Sequence, residues 1–288
     1  MKIVASDGSL NAISLDNLFA SIASLHSVGP GTAPQVEVDL GAVQFVEPYG
    51  VVGLIILLET IARRSKTKPR VITPRSANVC GYLARLGAWS EVRNLAELDW
   101  DSIAAGATGE DSDVLLELTA IRSQADIDSV LAHLQDILTT NLGYSSKSLS
   151  AVLNVFSELC HNVLDHSETV GWVVAQRYYS RGARQRFVRI GVGDTGIGIK
   201  ASLGKRHKTA AWSHFDAIVN ALKKDVSSLP NRGLGLHVVE RIINEFDGAL
   251  DIRTGDCRLY LGKQPKGIAG AWFPGTQVGI VLTERQGA

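Results

Sequence analysis

Four short segments, fixed in order along the second half of the chain, constrain this sequence more than any bulk property. Glu158-Leu-Cys-His-Asn162 lies in an amphipathic helical stretch and Asp194-Thr-Gly196-Ile-Gly198 follows a strand pattern. Arg232-Gly233-Leu234-Gly235-Leu236-His237 opens a second helical stretch, and Gly275-Thr276 enters the last strand. Four-residue spacing sets Glu158 and Asn162 on one helix face, one turn apart. A carboxylate there can orient or deprotonate an attacking water or hydroxyl, and an amide oxygen is a suitable hard ligand for Mg²⁺. The ordinary alternative is a solvated Glu and Asn on a helix surface.

A carboxylate at Asp194 can accept a hydrogen bond from an exocyclic amine such as that of adenine, with Gly196 and Gly198 letting the backbone pass close to the base. The same pattern also serves as a plain strand-ending turn. Glycine-rich backbone at a helix start offers N–H groups and a positive dipole end to phosphate, with Arg232 adding charge; a loop broken by glycines reads the same way. The Thr276 hydroxyl is placed to reach the adenine edge or a bound water, although Gly-Thr before a strand is common. Separately the segments are weak, and their order is what is unusual. The sequence contains neither GxxxxGK[ST] nor a strand-linked GxGxxG, so two competing phosphate-binding patterns are absent.

The pattern around these segments predicts two α/β units. In the first, Val36–Leu40 alternates as a half-buried strand, and Tyr49–Arg64 is a long apolar helix behind Pro48. Val71–Thr73 is a short strand, and Asn78–Leu86 a helix stopped by Gly87. This order implies a small layer with a partly parallel sheet. The segment from Leu98 to Asp113 is small and acidic, which places the boundary between a domain at 1–108 and one at 109–288. The second unit opens with a strand at Val114–Leu118 and a helix from about Asp126 to Thr140. Ser148 is the expected cap of the next helix. An antiparallel hairpin, Gly171–Tyr179 with Arg186–Gly193, turns at Ser180-Arg181-Gly182. A lid, a helix to Phe246 and two closing strands ending at Leu282 complete it.

Residues 113–285 resemble the GHKL (Bergerat-fold) ATPase superfamily, and most of all the anti-sigma-factor type of serine/threonine kinase. Glu158 to His166 is similar to that family's N-box, Val192 to Ile199 to its adenine-binding G1 box, Arg232 to Leu236 to its phosphate-holding G2 box, and Gly275-Thr276 to its closing GT. The resemblance implies an α/β sandwich with a mixed or antiparallel sheet. It implies ATP and Mg²⁺ as ligands, Glu158 as general base, Asn162 as the Mg²⁺ ligand and Asp194 on the adenine amine. It further implies an ATP-dependent kinase or ATPase, with a nucleotide-gated interaction module as the alternative. A regulatory protein partner, of STAS type among others, and a homodimer are compatible with it.

The first hundred residues resemble more faintly the STAS domain of anti-sigma-factor antagonists, through Val36 to Leu54. That family carries a phosphorylatable Ser or Thr after the acidic residue of the turn; here Pro48 and Tyr49 follow Glu47. Pro48 has no hydroxyl, so a phosphoserine switch at that place is chemically excluded.

Lys+Arg and Asp+Glu are both 29, so the formal net charge is zero, which disfavours a dedicated nucleic-acid or membrane-surface binder. Cys80, Cys160 and Cys257 are far apart and lack CxxC spacing, as reduced cytosolic thiols would be. The first residues lack a signal-peptide pattern, and the apolar run Val51–Leu58 is too short for a bilayer, so a soluble cytoplasmic protein is expected. The cluster Lys205-Arg206-His207-Lys208, with Lys223 and Lys224, reads mainly as a solvated loop face. Asp165 and His166 read as packing or supporting groups, not as metal ligands with His161.

Overall fold

The computed structural model describes residues 1–5, 8–27, 29–98, 114–142, 146–167, 169–223, 243 and 247–283. Two sheets organise them. The first has four parallel strands in the order β1-β3-β5-β6: β1 (Lys2–Val4), β3 (Glu37–Asp39), β5 (Arg70–Ile72) and β6 (Glu97–Leu98). A two-stranded ribbon, β2 (Ser9–Leu10) with β4 (Phe45–Val46), lies beside it. The helices α1 (Ala12–Ser21), α2 (Pro48–Arg64), α3 (Ala77–Arg85) and α4 (Ala88–Leu95) accompany these strands. The expected strands and helices of this half are present. Strands β1, β2, β4 and β6 and helices α1 and α4 stand beside them without having been anticipated. The α1 start does carry a local signal, since Asn11 accepts from the amides of Ile13 and Ser14 in a capping box.

Pro48 sits in the first turn of α2, where its missing N–H costs nothing. Every residue from Pro48 to Leu58 is buried, so α2 is apolar all round instead of along one stripe. A helix of that kind must be covered on all sides. Its second cover comes from the other half of the chain.

The second sheet has five antiparallel strands in the order β10-β11-β9-β8-β7: β7 (Val114–Ile121), β8 (Gly171–Ser180), β9 (Gln185–Asp194), β10 (Ala249–Leu261) and β11 (Lys266–Thr283). The helices α5 (Gln124–Leu142) and α6 (Ser146–Ser167) cover one face. Because α6 begins at Ser146, Ser148 falls inside its first turn instead of capping it; backbone pairing started the helix earlier than the polar residue suggested. Successive strand residues point to opposite faces. Val188, Ile190 and Val192 of β9 join Ile127, Phe156 and Val163 in one core, while Gly191 and Gly193 face α2. Trp172, Val174 and Phe273 likewise belong to the core built around α2. The sheet is thus buried on both faces, and the α/β sandwich has α5 and α6 in front and α2 behind.

The expected boundary near residue 108 lies outside the described residues. Among the described residues, no helix is long and apolar enough to cross a membrane.

Candidate nucleotide site

The site forms where β9 ends. Asp194 is the last residue of that strand and is 7% exposed. Its Oδ1 accepts from the Gly196 amide at 2.7 Å. Burial pushes its carboxyl up to about 7, against the opposing pull of hydrogen bonds from the Gly196 and Thr276 main-chain amides. This is a carboxyl group kept out of water and poised between its two protonation states near neutral pH, a property that concentrates at functional sites.

Only glycine can stand at two places around it. Gly275 has φ +72°, and a Cβ there would lie 2.6 Å from Asp194 Oδ1. Gly198 has φ +75°, and its Cβ would come 2.7 Å from Thr254 Oγ1. Gly196, Gly198 and Gly275-Thr276 are therefore brought together around Asp194.

Thr254 was not foreseen. It lies in β10 opposite Thr276 and is 1% exposed. Its hydroxyl donates to the Gly275 carbonyl at 2.8 Å and accepts from the Ile199 amide at 3.2 Å. One side chain thus fastens the turn after Asp194 to an irregularity at Gly275 inside β11, so Gly275-Thr276 lies within the last strand and not at its entrance. A threonine inside a strand is ordinary composition, so nothing local marks it.

The α6 helix approaches the same corner. Leu159 and Val163 bury into the core, leaving Glu158 and Asn162 half-buried at the edge of that stripe, one turn apart. Val163 packs so closely on Gly171 that a Cβ there would clash with it, and Gly171 is the β8 partner of Asp194. The Glu158–Asn162 turn is therefore held next to the end of β9.

His161 turns elsewhere. Its Nδ1 lies 2.6 Å from the Ser157 carbonyl and its Nε2 2.9 Å from Gln124 Oε1, so it ties α6 to α5. Among the described residues, no group of three or more His, Cys, Asp or Glu stands together as a metal site. The side chains of Asp165 and His166 lie outside the description. So do Arg232, Gly233, Leu234, Gly235, Leu236 and His237, together with Lys224 and the helix expected to reach Phe246.

Beyond Gly198 the chain forms α7 (Gly198–Gly204) and α8 (His214–Ala221), the latter capped by Ser213 and Asp216. Lys205, Arg206, Lys208 and Lys223 are exposed, as a solvated loop face would be. His214 pairs with Asp256 at 2.7 Å, fixing α8 to the bulge in β10.

Residues 149–284, a span holding all four motifs, match the family model described as histidine kinase-, DNA gyrase B-, and HSP90-like ATPase. No curated protein matches the chain. Among solved structures, the histidine kinase domain from the Erythrobacter litoralis EL346 blue-light activated histidine kinase is 13% identical. The match covers 94% of this chain and 93% of that one, at a TM-score of 0.27. Over residues 149–284, somewhat under half of the chain, the sequence is thus similar to the GHKL type of ATPase.

Proposed function

We propose that this chain is an Mg-ATP-binding regulatory protein whose GHKL domain hydrolyses ATP or phosphorylates a Ser or Thr of a partner protein. The observation that carries the reading is Asp194: a buried carboxylate hydrogen-bonded to main-chain amides, in a corner that only glycines can build. Such a group has acceptor capacity left for the exocyclic amine of adenine. Gly198 and Gly275 let the backbone close tightly around Asp194, and in this reading Gly196 and Thr276 stand at the edge of the base. Mg²⁺, when bound, would neutralise phosphate charge, with the Asn162 amide oxygen as its protein ligand. Arg232, Gly233, Leu234, Gly235 and Leu236 would hold the phosphates. Glu158, one turn from Asn162, is assigned as the base that orients or deprotonates the attacking water or hydroxyl.

In this reading residues 1–108 are a STAS-like unit that has lost its phosphoacceptor. The burial of Pro48 and Tyr49 against the GHKL sheet supports a structural use of that surface. Turnover of γ-labelled ATP, resolving free phosphate from protein-bound label, tests the enzyme. Glu158→Ala is expected to abolish turnover and leave ATP binding largely intact; unchanged turnover would remove Glu158 as base.

One observation favours a second reading, a nucleotide-gated interaction module. Thr254 links Gly275, which packs against Asp194, to the first turn of α7, so a nucleotide seated on Asp194 would bear mechanically on the lid. Equal protease susceptibility of the lid with and without Mg-ATP would count against it.

A further inference from the structure

The rear face of the nucleotide corner is made by the N-terminal half of the chain. Gln277 is fully buried, and its Nε2 donates to the Tyr49 carbonyl in the first turn of α2 at 2.6 Å. Directly across the sheet its strand partner is Gly193. A Cβ on Gly193 would lie 2.9 Å from both Val52 Cγ1 and Ile56 Cδ1, so β9 rests flush on α2 at that point. Both residues therefore face backward. Their chain neighbours Thr276 and Asp194 belong to the opposite face, because strand side chains alternate. These neighbours are themselves joined, the Asp194 carboxylate accepting from the Thr276 amide.

We propose that Gln277 is a positioning residue for adenine recognition. Together with Val52 and Ile56 of α2, it sets the depth of β11 and β9 at the point where Asp194 meets the Thr276 amide. The inference rests on the reading of Asp194 as the adenine acceptor. Hydrogen-bond geometry is sensitive to displacements well below an ångström. A small shift of β11 relative to β9 would turn the carboxylate away from the base without disturbing the phosphate-holding residues. The N-terminal half thus tunes which purine is accepted, although none of its residues is assigned to the nucleotide. Gln277 suits this role because a buried amide anchored to main chain cannot slide along α2 as an apolar side chain can.

The test compares Mg-ADP with Mg-IDP, which carries a 6-oxo group where adenine has its amine, by calorimetry on the full chain. Gln277→Met keeps volume and removes the hydrogen bond. The wild type is expected to prefer ADP. In Gln277→Met that preference should fall by about fivefold, the worth of one hydrogen bond, with IDP affinity little changed. Val52→Ala, which leaves the sheet's own residues untouched, should move the ratio in the same direction and serves if Gln277→Met does not fold. Arg189→Ala is the comparator. It breaks the ion pair with Glu47 on the same rear face, in the middle of β9 and four residues before Gly193, and should lower stability without moving the ratio.

An unchanged ADP-to-IDP ratio in folded Gln277→Met and Val52→Ala would overturn the inference, as would equal losses for both nucleotides or an equal change in Arg189→Ala. A wild type that binds ADP without preferring it over IDP overturns Asp194 as the adenine acceptor and the positioning role with it, while leaving nucleotide binding in place. A wild type that binds neither nucleotide overturns the ATP-binding reading and the positioning role together.

Discussion

Asp194 shows how one residue can trade stability for recognition. Burial lifts its carboxyl from an ordinary 3.8 to about 7. The folded state therefore holds this proton more tightly than the unfolded chain does. The associated stability is fully present below about pH 4 and is lost as the pH rises through about 7. Asp194→Asn is neutral at every pH and should remove that slope. Above about pH 7 the variant should be more stable than the wild type, by up to about 4 kcal/mol and less after relaxation, because it no longer buries a charge. Adenine nucleotide binding should be lost, because an amide can present its N–H₂ where an acceptor is needed. In the wild type, affinity should rise between about pH 6 and 8 as the carboxylate form becomes available. Denaturant titrations across this range, paired with calorimetry of ADP binding, check both signs. Persistent ADP binding in Asp194→Asn would remove Asp194 as the adenine acceptor.

Among the elements, β9 is the one whose pattern carries most of the architecture. Its even-numbered residues Val188, Ile190 and Val192 enter the core beneath α5 and α6. Its odd-numbered residues Arg189, Gly191 and Gly193 face α2; Gly191 is glycine because the helix backbone comes so near, and Gly193 because the Val52 and Ile56 side chains do. A Cβ on Gly191 would lie 2.8 Å from the Pro48 carbonyl and 3.0 Å from the Tyr49 amide. Backbone cannot move aside as a flexible side chain can. Gly191→Val should therefore cost about 1–3 kcal/mol or more through overpacking, although valine suits a strand by propensity. Urea titration would measure it. A stabilising Gly191→Val would mean that α2 is not seated on β9. The paired strand β11 answers with Gly279, which lies under the Tyr49 ring.

At the scale of the whole molecule, the halves are joined by charge as well as by packing. Asp16 of α1 pairs with Arg253 and, at 3.3 Å, with Arg258, both in β10. Arg253 is 1% exposed and lies over the rings of Phe19 and Phe273, 5.1 and 5.0 Å from their centroids. Its burial is compensated chiefly by a residue from the other end of the sequence. Asp16→Ala strands the guanidinium and should cost about 3–5 kcal/mol, whereas Asp16→Leu combined with Arg253→Met should recover most of the loss. Thermal unfolding of the three proteins checks this. A mild effect of Asp16→Ala would show that Arg253 is satisfied without α1. Cooperative unfolding of the two halves in one transition is expected from so continuous a core.

The sequence by itself determined the main strands and helices of the second half and the spacing of the candidate site residues. Helical spacing set Glu158 beside Asn162, a strand had to end at Asp194, and Gly275 preceded Thr276; these are local properties that periodicity and turn chemistry express directly. The long helices and the hairpin were legible for the same reason. It did not show Thr254, because a residue that bridges two turns has no pattern of its own. Nor did it show why Gly191, Gly193 and Gly279 are glycines, since the surface that excludes their side chains lies far away in the chain. The apolar run of α2 was visible but was read as the core of a separate small layer. Only the tertiary structure decided that α2 also covers the back of the GHKL sheet. Burial of an all-round apolar helix needs partners on every side, and which distant face supplies them is set by long-range packing that no local window contains.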